Sequence, residues 1–350
     1  MAEPLRVVAI GGGTGLSSLL AGLKKYAHPS PDHSPEHPLL DITAVVTVTD
    51  DGGSSGRLRR DFDVLPPGDI RSCMVALSED EALLSRLFRY RFETGRGLKG
   101  HSFGNLFLTA LTGITGDFPD AVKMACEVLN IAGRIYPSTA ANVSLEAVLE
   151  GGRVVCGESK ISRSKKPIRE IRLVPRVARP LKETLEAIAN ADLITLGPGS
   201  LFTSVVPNLL VTGIAKAIRK SPAMKAYFVN LMSQPGETID FRASDHVQAI
   251  NDHAGGPLLD CAIVSVTKIT PAMRVRYAEQ EASPVENDLD NLRAMGLAIY
   301  EADLLQKSEK VRHKPAALGT LTYRLALLGH RHRMARLHQR ATHRLETLKK

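Results

Sequence analysis

LRVVAIGGGTGL, residues 5–16, joins a short apolar run to a glycine-rich turn. Further leucines at 19, 20 and 23 follow at helical spacing, so the stretch predicts a strand, a tight turn and a helix. Glycines let the backbone turn sharply and leave the first N–H groups of the helix unobstructed. With the positive end of the helix dipole, these groups suit a phosphate or a carboxylate. An ordinary tight turn is the alternative. The predicted anion contacts are Gly11, Gly12, Gly13, Thr14 and Gly15.

This glycine pattern matches neither of two common nucleotide-binding motifs. A dinucleotide fingerprint needs a third glycine in G-x-G-x-x-G. Leu16 stands there when counting begins at Gly11, and Ser18 when it begins at Gly13. A Walker-type loop ends in G-K-[ST], which is absent here. The turn therefore predicts an anion site without identifying the ligand.

Composition places the chain among globular proteins. It has 350 residues, of which 43% are hydrophobic and 23% charged. No apolar run approaches the roughly 20 residues of a membrane span, and the amino terminus lacks a signal layout. We therefore predict a cytoplasmic protein without a membrane span. Of the net charge of +8, most lies in residues 330–350, which hold five Arg and two Lys against one Glu. We accordingly divide the chain into a domain, 1–329, and a basic tail, 330–350.

Three more apolar segments with strand character run into glycine-bearing loops. They are residues 40–49, 191–196 and 225–232, and their loops begin at 50, 197 and 233. If these strands and the first one are parallel, all four loops lie at one edge of one sheet and build one cleft. We therefore predict an α/β fold, with a β-rich insertion near 134–176.

The loop after the segment 40–49 carries two adjacent acids, Asp50 and Asp51. Paired carboxylates suit a hard cation such as Mg²⁺, and the glycines and serines that follow suit the phosphates that such a cation would bridge. We therefore predict Asp50 and Asp51 as metal ligands. The alternative is a strand-end turn in which Asp50 caps the next helix. The predicted phosphate contacts in this loop are Ser54, Ser55, Gly56 and Arg57.

LPPGDIR, residues 65–71, precedes another helical pattern. Asp69 is placed as an N-cap, a position that aspartate favours. Arg71 falls in the first turn, where a positive charge opposes the helix dipole. This position makes Arg71 a candidate for contact with a bound anion.

Residues 100–104, GHSFG, match the G-x-S-x-G motif of serine hydrolases. That motif needs a strand directly before it, whereas a polar, glycine-rich loop precedes it here. We therefore do not predict serine-hydrolase chemistry. His101 and Asn105 stand at the start of the helix that follows and are candidate ligand contacts.

Taken together, these motifs resemble the YvcK family, often labelled gluconeogenesis factor. The resemblance rests on IGGGTGLSSLLAGLKKY (10–26), TDDGGSSGRLRRDF (49–62), LPPGDIRSCMVAL (65–77), GHSFGNLFLTAL (100–111), LGPGSLFTSVVPNLLV (196–211) and the stretch from QPGET to DHVQAI (234–250). The family is related to the CofD transferases, which join a phospholactate unit from a guanylated donor to a deazaflavin.

The resemblance implies a Rossmann-like, mostly parallel sheet with helices on both faces, plus a smaller mixed α/β region. It also implies a nucleotide ligand, notably UDP-N-acetylglucosamine, and links to gluconeogenic growth, cell shape and cell-wall synthesis. Carried over by motif, the diphosphate would meet the Gly11–Gly15 loop and the Ser54–Arg57 turn. The segments 198–200 and 230–238 would line the rest of the site. The remaining single contacts that it implies are Pro198, Gly199, Ser200, Asn230, Gln234, Gly236, Glu237, Thr238, Tyr277 and Arg312.

Two functions stay open from the sequence. A regulatory protein that binds a nucleotide sugar uses anion contacts, with or without Mg²⁺, and a CofD-like 2-phospho-L-lactate transferase needs the same parts. No residue is identifiable as nucleophile or general base, so catalytic residues stay unassigned. We expect a homo-oligomer and protein partners in cell-wall synthesis. Nucleic acid is not an expected partner, because only the tail is basic and aromatic residues make up 5% of the chain.

Overall fold

The structure, a computed structural model, describes residues 3–29, 37–78, 83–164, 166–306 and 310–348. A parallel sheet of seven strands forms its centre. Its strands are β1 (Leu5–Gly11), β2 (Leu40–Val46), β3 (Arg134–Pro137), β7 (Leu193–Leu196), β8 (Met224–Phe228), β9 (Cys261–Ser265) and β10 (Ala298–Ala302). A smaller antiparallel sheet contains β4 (Ser144–Leu149), β5 (Val154–Cys156) and β6 (Ile168–Val174).

Helices surround the large sheet, which confirms the predicted fold class. They are α1 (Gly13–Leu23), α2 (Gly53–Phe62), α3 (Gly68–Leu77), α4 (Leu83–Arg89), α5 (Phe103–Thr115), α6 (Phe118–Val128), α7 (Glu158–Ile161), α8 (Lys182–Asn190), α9 (Val206–Leu210), α10 (Ile214–Lys220), α11 (Ala243–Ala254), α12 (Pro271–Ala278), α13 (Leu289–Ala294) and α14 (Pro315–Leu348). A 3₁₀ turn spans Lys24–Tyr26, and a π-helical turn spans Leu201–Val205.

The order of the strands places the four glycine-bearing loops together. It is β10-β9-β8-β7-β1-β2-β3, so β8, β7, β1 and β2 are consecutive neighbours. The chain leaves β1 towards β2 on one side, and β7 returns to pair with β1 on the other. The carboxyl end of β1 is therefore a topological switch point, where open α/β sheets bind their ligands. The strands read as continuous apolar runs because both faces of the sheet are covered.

Gly213, whose φ is +93°, stands between α9 and α10 and begins the second of these helices. The part of the chain after 274 adds β10 to the sheet. The predicted β-rich insertion, 134–176, is divided between the two sheets, because its first four residues form β3.

Helix α14 continues through the region that the sequence separated as a tail. It packs along α1, where a Cβ atom on Gly319 would lie 2.1 Å from the Gly22 carbonyl oxygen. Only glycine at these positions allows the two backbones to approach so closely.

No single helix in the described ranges is long and apolar enough to cross a membrane. Two helical segments, 201–210 and 214–220, reach that length and composition only when they are counted together, and the chain bends between them.

Candidate functional site

A cavity of about 310 Å³ opens at the switch point. Three glycine-bearing loops and one distant segment, 311–313, form its walls. It is lined by Gly12, Gly13, Thr14, Gly15, Ser18, Pro198, Gly199, Ser200, Ser204, Asn230, Leu231, Met232, Gln234, Val311, Arg312 and His313.

The start of α1 forms one wall of the cavity by close backbone contact. A Cβ atom on Gly15 would lie 2.2 Å from the Pro198 carbonyl oxygen. Gly13 adopts a φ of +61°, which favours glycine. No acidic residue occupies the first turn of α1, so the helix dipole favours an anion there. The predicted glycine loop therefore lines the cavity, and its role as an anion site stays a prediction.

Polar side chains lie deeper in the cavity. Gln234 Nε2 donates to Ser200 Oγ over 2.8 Å, while Gln234 Oε1 is buried and has no partner in the described residues. A buried amide oxygen without a hydrogen bond is costly. A ligand N–H or hydroxyl group would satisfy it.

The segment 311–313 covers the cavity from far along the chain. The Tyr277 hydroxyl accepts the backbone N–H of Val311 over 2.9 Å, so Tyr277 holds this segment and does not line the cavity. Arg312 is exposed and brings a positive charge to the lining. Burial lowers the pKa of His313 to about 4, so its ring is neutral at pH 7.

Asp69 stands behind the glycine loop. Its interpretation as an N-cap was wrong, because Pro67 caps α3 and Asp69 lies in the first turn. Its carboxyl group instead hydrogen-bonds the backbone of Gly13. Burial, and then the charge of Asp50, raise the pKa of Asp69 to about 6.

Asp50 lies close enough to Asp69 for their charges to interact, and Asp50, Asp51 and Asp69 all act on Glu158. Asp50 Oδ1 accepts the Gly52 N–H, and Asp51 Oδ1 accepts the Ser159 N–H, each over 2.8 Å. Burial raises the pKa of Glu158 to about 9, and the charges of Asp50 and Asp69 contribute. The structure thus gathers several carboxyl groups that repel one another.

Comparison with known proteins identifies the family. A family model described as "2-phospho-L-lactate transferase CofD" matches residues 7–305. The gluconeogenesis factor of Halalkalibacterium halodurans is 47% identical over 308 residues, which cover 88% of this chain and 92% of that protein. The chain belongs to the gluconeogenesis factor (YvcK) family of CofD-like proteins.

Other members of the gluconeogenesis factor family agree with this assignment. The Bacillus subtilis gluconeogenesis factor is 45% identical over 322 residues, which cover 92% of this chain and 98% of the relative. An X-ray structure of a Bacillus halodurans protein, 44% identical, superposes with a TM-score of 0.86 and covers 93% of this chain and 100% of that one. The predicted resemblance to the YvcK family is confirmed.

In this family member a polar cluster lies beside the acids and outside the cavity lining. Ser54 Oγ lies 2.9 Å from His101 Nδ1 and accepts from Asn105 Nδ2 over 3.1 Å. Burial lowers the pKa of His101, and the charges of Arg57 and Arg91 lower it further. Burial also lowers the pKa of Arg71, and the positive charge of Arg91 lowers it further.

The structure brings together many, but not all, of the predicted contacts. Those that line the cavity are Gly12, Gly13, Thr14, Gly15, Pro198, Gly199, Ser200, Asn230, Gln234 and Arg312. Those that lie outside its lining but support its loops are Gly11, Gly236, Glu237, Thr238 and Tyr277. The acidic and polar groups beside the cavity are Asp50, Asp51, Ser54, Ser55, Gly56, Arg57, Asp69, Arg71, His101 and Asn105.

Sequence reasoning missed four lining residues. Ser18 follows Thr14 by one helical turn and so was within reach of pattern analysis. No local signal marks His313, which reaches the cavity only through the fold. The four are Ser18, Ser204, Val311 and His313, whereas Leu231 and Met232 lie within the implied segment 230–238.

The crowding of carboxyl groups makes stability depend on pH. Because the pKa of Glu158 rises from 4.5 to about 9 on folding, ionisation of Glu158 destabilises the folded protein progressively as pH rises through that interval. We expect Glu158→Gln to match the wild type near pH 4 and to raise the melting temperature by a few degrees at pH 9. Thermal unfolding across this range measures the difference. The exposed Glu150→Gln is the control, and an equal effect of both variants at pH 9 would contradict the assignment.

Proposed function

We propose that this protein binds a nucleotide sugar of the UDP-N-acetylglucosamine type in the cavity, as a regulatory ligand. The single observation that supports this most strongly is that the amino terminus of α1 and Arg312 line the same cavity. A helix amino terminus and a guanidinium group are both strong diphosphate ligands. A volume of about 310 Å³ lies within the range of small-molecule sites.

The rest of the lining suits a sugar and a base. Asn230 and Gln234 present amide groups, and Ser200 and Ser204 present hydroxyl groups. Such groups donate and accept hydrogen bonds, as sugar hydroxyls and a pyrimidine edge require. The unpartnered Gln234 Oε1 favours a ligand that brings a donor.

The physiological part of the proposal follows the relatives. Those from Halalkalibacterium halodurans and Bacillus subtilis carry the name gluconeogenesis factor. We extend to this protein a role in growth on gluconeogenic carbon sources, and with it a role in cell shape and cell-wall synthesis. Protein partners in cell-wall synthesis, a homo-oligomeric state and a cytoplasmic location stay predictions.

We also propose Mg²⁺ as a cofactor, held by two carboxylates. No three His, Cys, Asp or Glu side chains converge on a metal position within the described residues. Mg²⁺ does not need three converging protein side chains, because it usually binds one or two carboxylates together with phosphates and water. Asp51 already accepts a backbone N–H group of α7. Asp50 and Asp69, in contrast, lie close enough for their charges to repel, and Asp69 also contacts Gly13. We propose Asp50 and Asp69 as the pair that would hold the ion, which would supply positive charge that offsets their repulsion and favours a phosphate group.

A CofD-like transferase is the second candidate, and the family model favours it by its description. Phosphoryl chemistry would use the same anion contacts and the same cation. The two candidates differ in turnover. A regulatory ligand is recovered unchanged, whereas a transferase consumes a guanylated donor when a deazaflavin is supplied.

Calorimetric titration with UDP-N-acetylglucosamine, with and without Mg²⁺, tests the proposal. We expect Arg312→Met to weaken binding at least tenfold, since it removes a charge-assisted contact to phosphate. Arg324→Met, which removes an exposed arginine from α14, is the matched control and should bind like the wild type. Absence of binding by the wild type, or equal binding by both variants, would refute the nucleotide-sugar site. Chromatography of the ligand after incubation then separates the two candidate functions.

A further inference from the structure

A separate cavity of about 500 Å³, here called the sheet-face cavity, lies near the starts of β1 and β2. The candidate nucleotide cavity opens past the other end of β1. Parallel pairing sets Arg6 beside Asp41, and Thr43 beside Arg134. Because alternate residues of a strand share a face, one face of the sheet carries Arg6, Asp41, Thr43, Arg134 and Tyr136, all of which line this cavity.

Helix α8 forms the facing wall of the sheet-face cavity. Glu183, Glu186, Ala187 and Asn190 line it, and their spacing of three and four residues places them on one side of the helix. Glu183 lies in the first turn of α8, where the helix dipole favours its negative charge. The charged side chains of the lining are therefore two arginines and three acids: Arg6, Arg134, Asp41, Glu183 and Glu186.

Both arginines of the lining are already paired with an acid. Arg6 pairs with Glu3 over 2.6 Å, and Arg134 pairs with Asp41 across the neighbouring strands. The Asp41 carboxylate raises the pKa of Arg134 by accepting its hydrogen bond. An anionic ligand would therefore have to compete with carboxylates for both guanidinium groups.

Glu183, in contrast, has no counter-charge. Its carboxyl group forms neither an ion pair nor a hydrogen bond with any residue that the structure describes, whereas Glu186 pairs with Lys182 over 3.4 Å. The half-buried Tyr136 likewise makes no hydrogen bond through its hydroxyl group within the described ranges. The groups left open are thus a carboxylate and a hydroxyl, and a carboxylate needs a donor.

The open groups lie close to one another. Burial raises the pKa of Tyr136, the charge of Arg134 lowers it, and the charges of Glu183 and Asp41 raise it. All three charges therefore act on a single hydroxyl group. Two of them are negative, so the surroundings of this hydroxyl favour a cation.

An adjoining cavity of about 430 Å³ extends the site along β3 to α6 and shares Arg134, Tyr136 and Glu183 with the sheet-face cavity. It adds Lys123 and Glu127, whose charges are opposite. The two linings together therefore hold one more acidic than cationic side chain. Both volumes lie within the range of small-molecule sites. The apolar surface of the two linings includes Val8, Ala187, Ile131 and Ile135.

We propose that the sheet-face cavity binds a small organic cation, an amine or guanidinium compound that carries no carboxylate. The cationic group of the ligand donates to the Glu183 carboxylate and to the Tyr136 hydroxyl. Its carbon chain lies along the apolar surface, and the face of the Tyr136 ring adds attraction for the cation. The site is separate from the nucleotide cavity, so either proposal can fail alone.

Calorimetric titration of the full chain with agmatine and with arginine tests the proposal. The two probes differ only in the carboxylate of arginine, which meets an excess of acids in the lining. We expect agmatine to bind about fivefold more tightly or better, as a contact with one further charge implies. Equal or tighter binding of arginine would show that the ligand class is wrong.

Glu183→Gln keeps the size of the side chain and removes its charge. Because hydrogen bonds between charged groups are the strong ones, we expect this variant to bind agmatine about tenfold more weakly or worse. Tyr136→Phe should weaken binding by about two- to fivefold through the lost acceptor. Glu150→Gln, at an exposed position outside both cavities, and Arg312→Met in the nucleotide cavity should bind like the wild type.

Arg6→Met provides a test with the opposite sign. The substitution removes a positive charge from the lining and should tighten agmatine binding. It leaves the Arg6 backbone N–H bonded to Asp192, and the lost ion pair with Glu3 is largely exposed, so the protein should fold. Melting temperatures check the folding of every variant.

Three further outcomes would overturn the proposal. The first is an absence of agmatine binding by the wild type. The second is an equal loss of binding in Glu183→Gln and Glu150→Gln, which would indicate a general charge effect. The third is weaker binding by Arg6→Met, since the lining would then recognise an anionic group.

Discussion

Replacing Asp192 by alanine lowers the free energy of unfolding by about 3–5 kcal/mol, the cost of removing one partner from a buried ion pair. Asp192 is 1% exposed. Its Oδ1 pairs with His330 over 3.0 Å and with Arg333 over 3.1 Å, and its Oδ2 accepts the Arg6 backbone N–H over 2.8 Å. The alanine variant would leave Arg333 partly buried without a counter-charge and the Arg6 N–H without its acceptor.

Urea denaturation measures this loss, and Asp290→Ala provides the control. Asp290 pairs with Arg293 over 2.9 Å, but its side chain is 99% exposed, so its removal should cost at most about 1 kcal/mol. Asp192→Asn should fall between the two, because it keeps an acceptor and loses the charge. Equal midpoints for Asp192→Ala and Asp290→Ala would show that the carboxyl end of the chain is not anchored through Asp192.

This contact also shows what the sequence could not reveal. From the sequence alone, the basic tail, 330–350, is interpreted as a solvated or partner-binding helix, because the pattern contains only its own charges. In the fold, His330 and Arg333 meet an acid about 140 positions earlier in the chain, 138 for His330 and 141 for Arg333. Such a pairing depends on where β7 and α14 lie relative to each other. No local pattern contains that information.

The glycine loops, by contrast, were predictable, because their signal is local. An apolar run that ends in glycines marks the end of a strand wherever the strand lies in the sheet. Asp69 shows the limit of such rules. Aspartate before a helix predicts a cap, but the free N–H group that Asp69 meets belongs to Gly13 at another helix. The rule correctly predicts that Asp69 accepts a hydrogen bond from a backbone N–H group, but it assigns that group to the wrong helix.

Arg312 came from resemblance alone, since neither periodicity nor a motif marks it. It reaches the cavity because the Tyr277 hydroxyl holds Val311 and because α14, which begins at Pro315, packs along α1. The packing of α14 along α1 thus positions both the glycine loop in the cavity wall and the segment 311–313 that covers the cavity. The cavity is therefore a property of their packing and cannot be derived from either segment separately.

Gly15→Ala should damage both stability and ligand binding. The added methyl group would lie 2.2 Å from the Pro198 carbonyl oxygen and 2.8 Å from Gly199 Cα. Both are backbone atoms, so no side-chain rotation can relieve the clash, and α1 must move away from the loop after β7. Overpacking of this kind costs about 1–3 kcal/mol. Because both displaced segments line the cavity, we expect affinity for UDP-N-acetylglucosamine to fall at least tenfold.

The matched control for Gly15→Ala is Gly113→Ala in α5. A Cβ atom there would meet nothing within 4 Å, so alanine should stabilise the helix by up to about 1 kcal/mol. The same chemical change thus has opposite expected signs at the two positions, which denaturation measures directly. If Gly15→Ala were as stable as Gly113→Ala, the tight contact between α1 and the Pro198 loop would be wrong. If Gly15→Ala were destabilised but bound the nucleotide sugar normally, the contact would stand and the ligand would have to lie elsewhere.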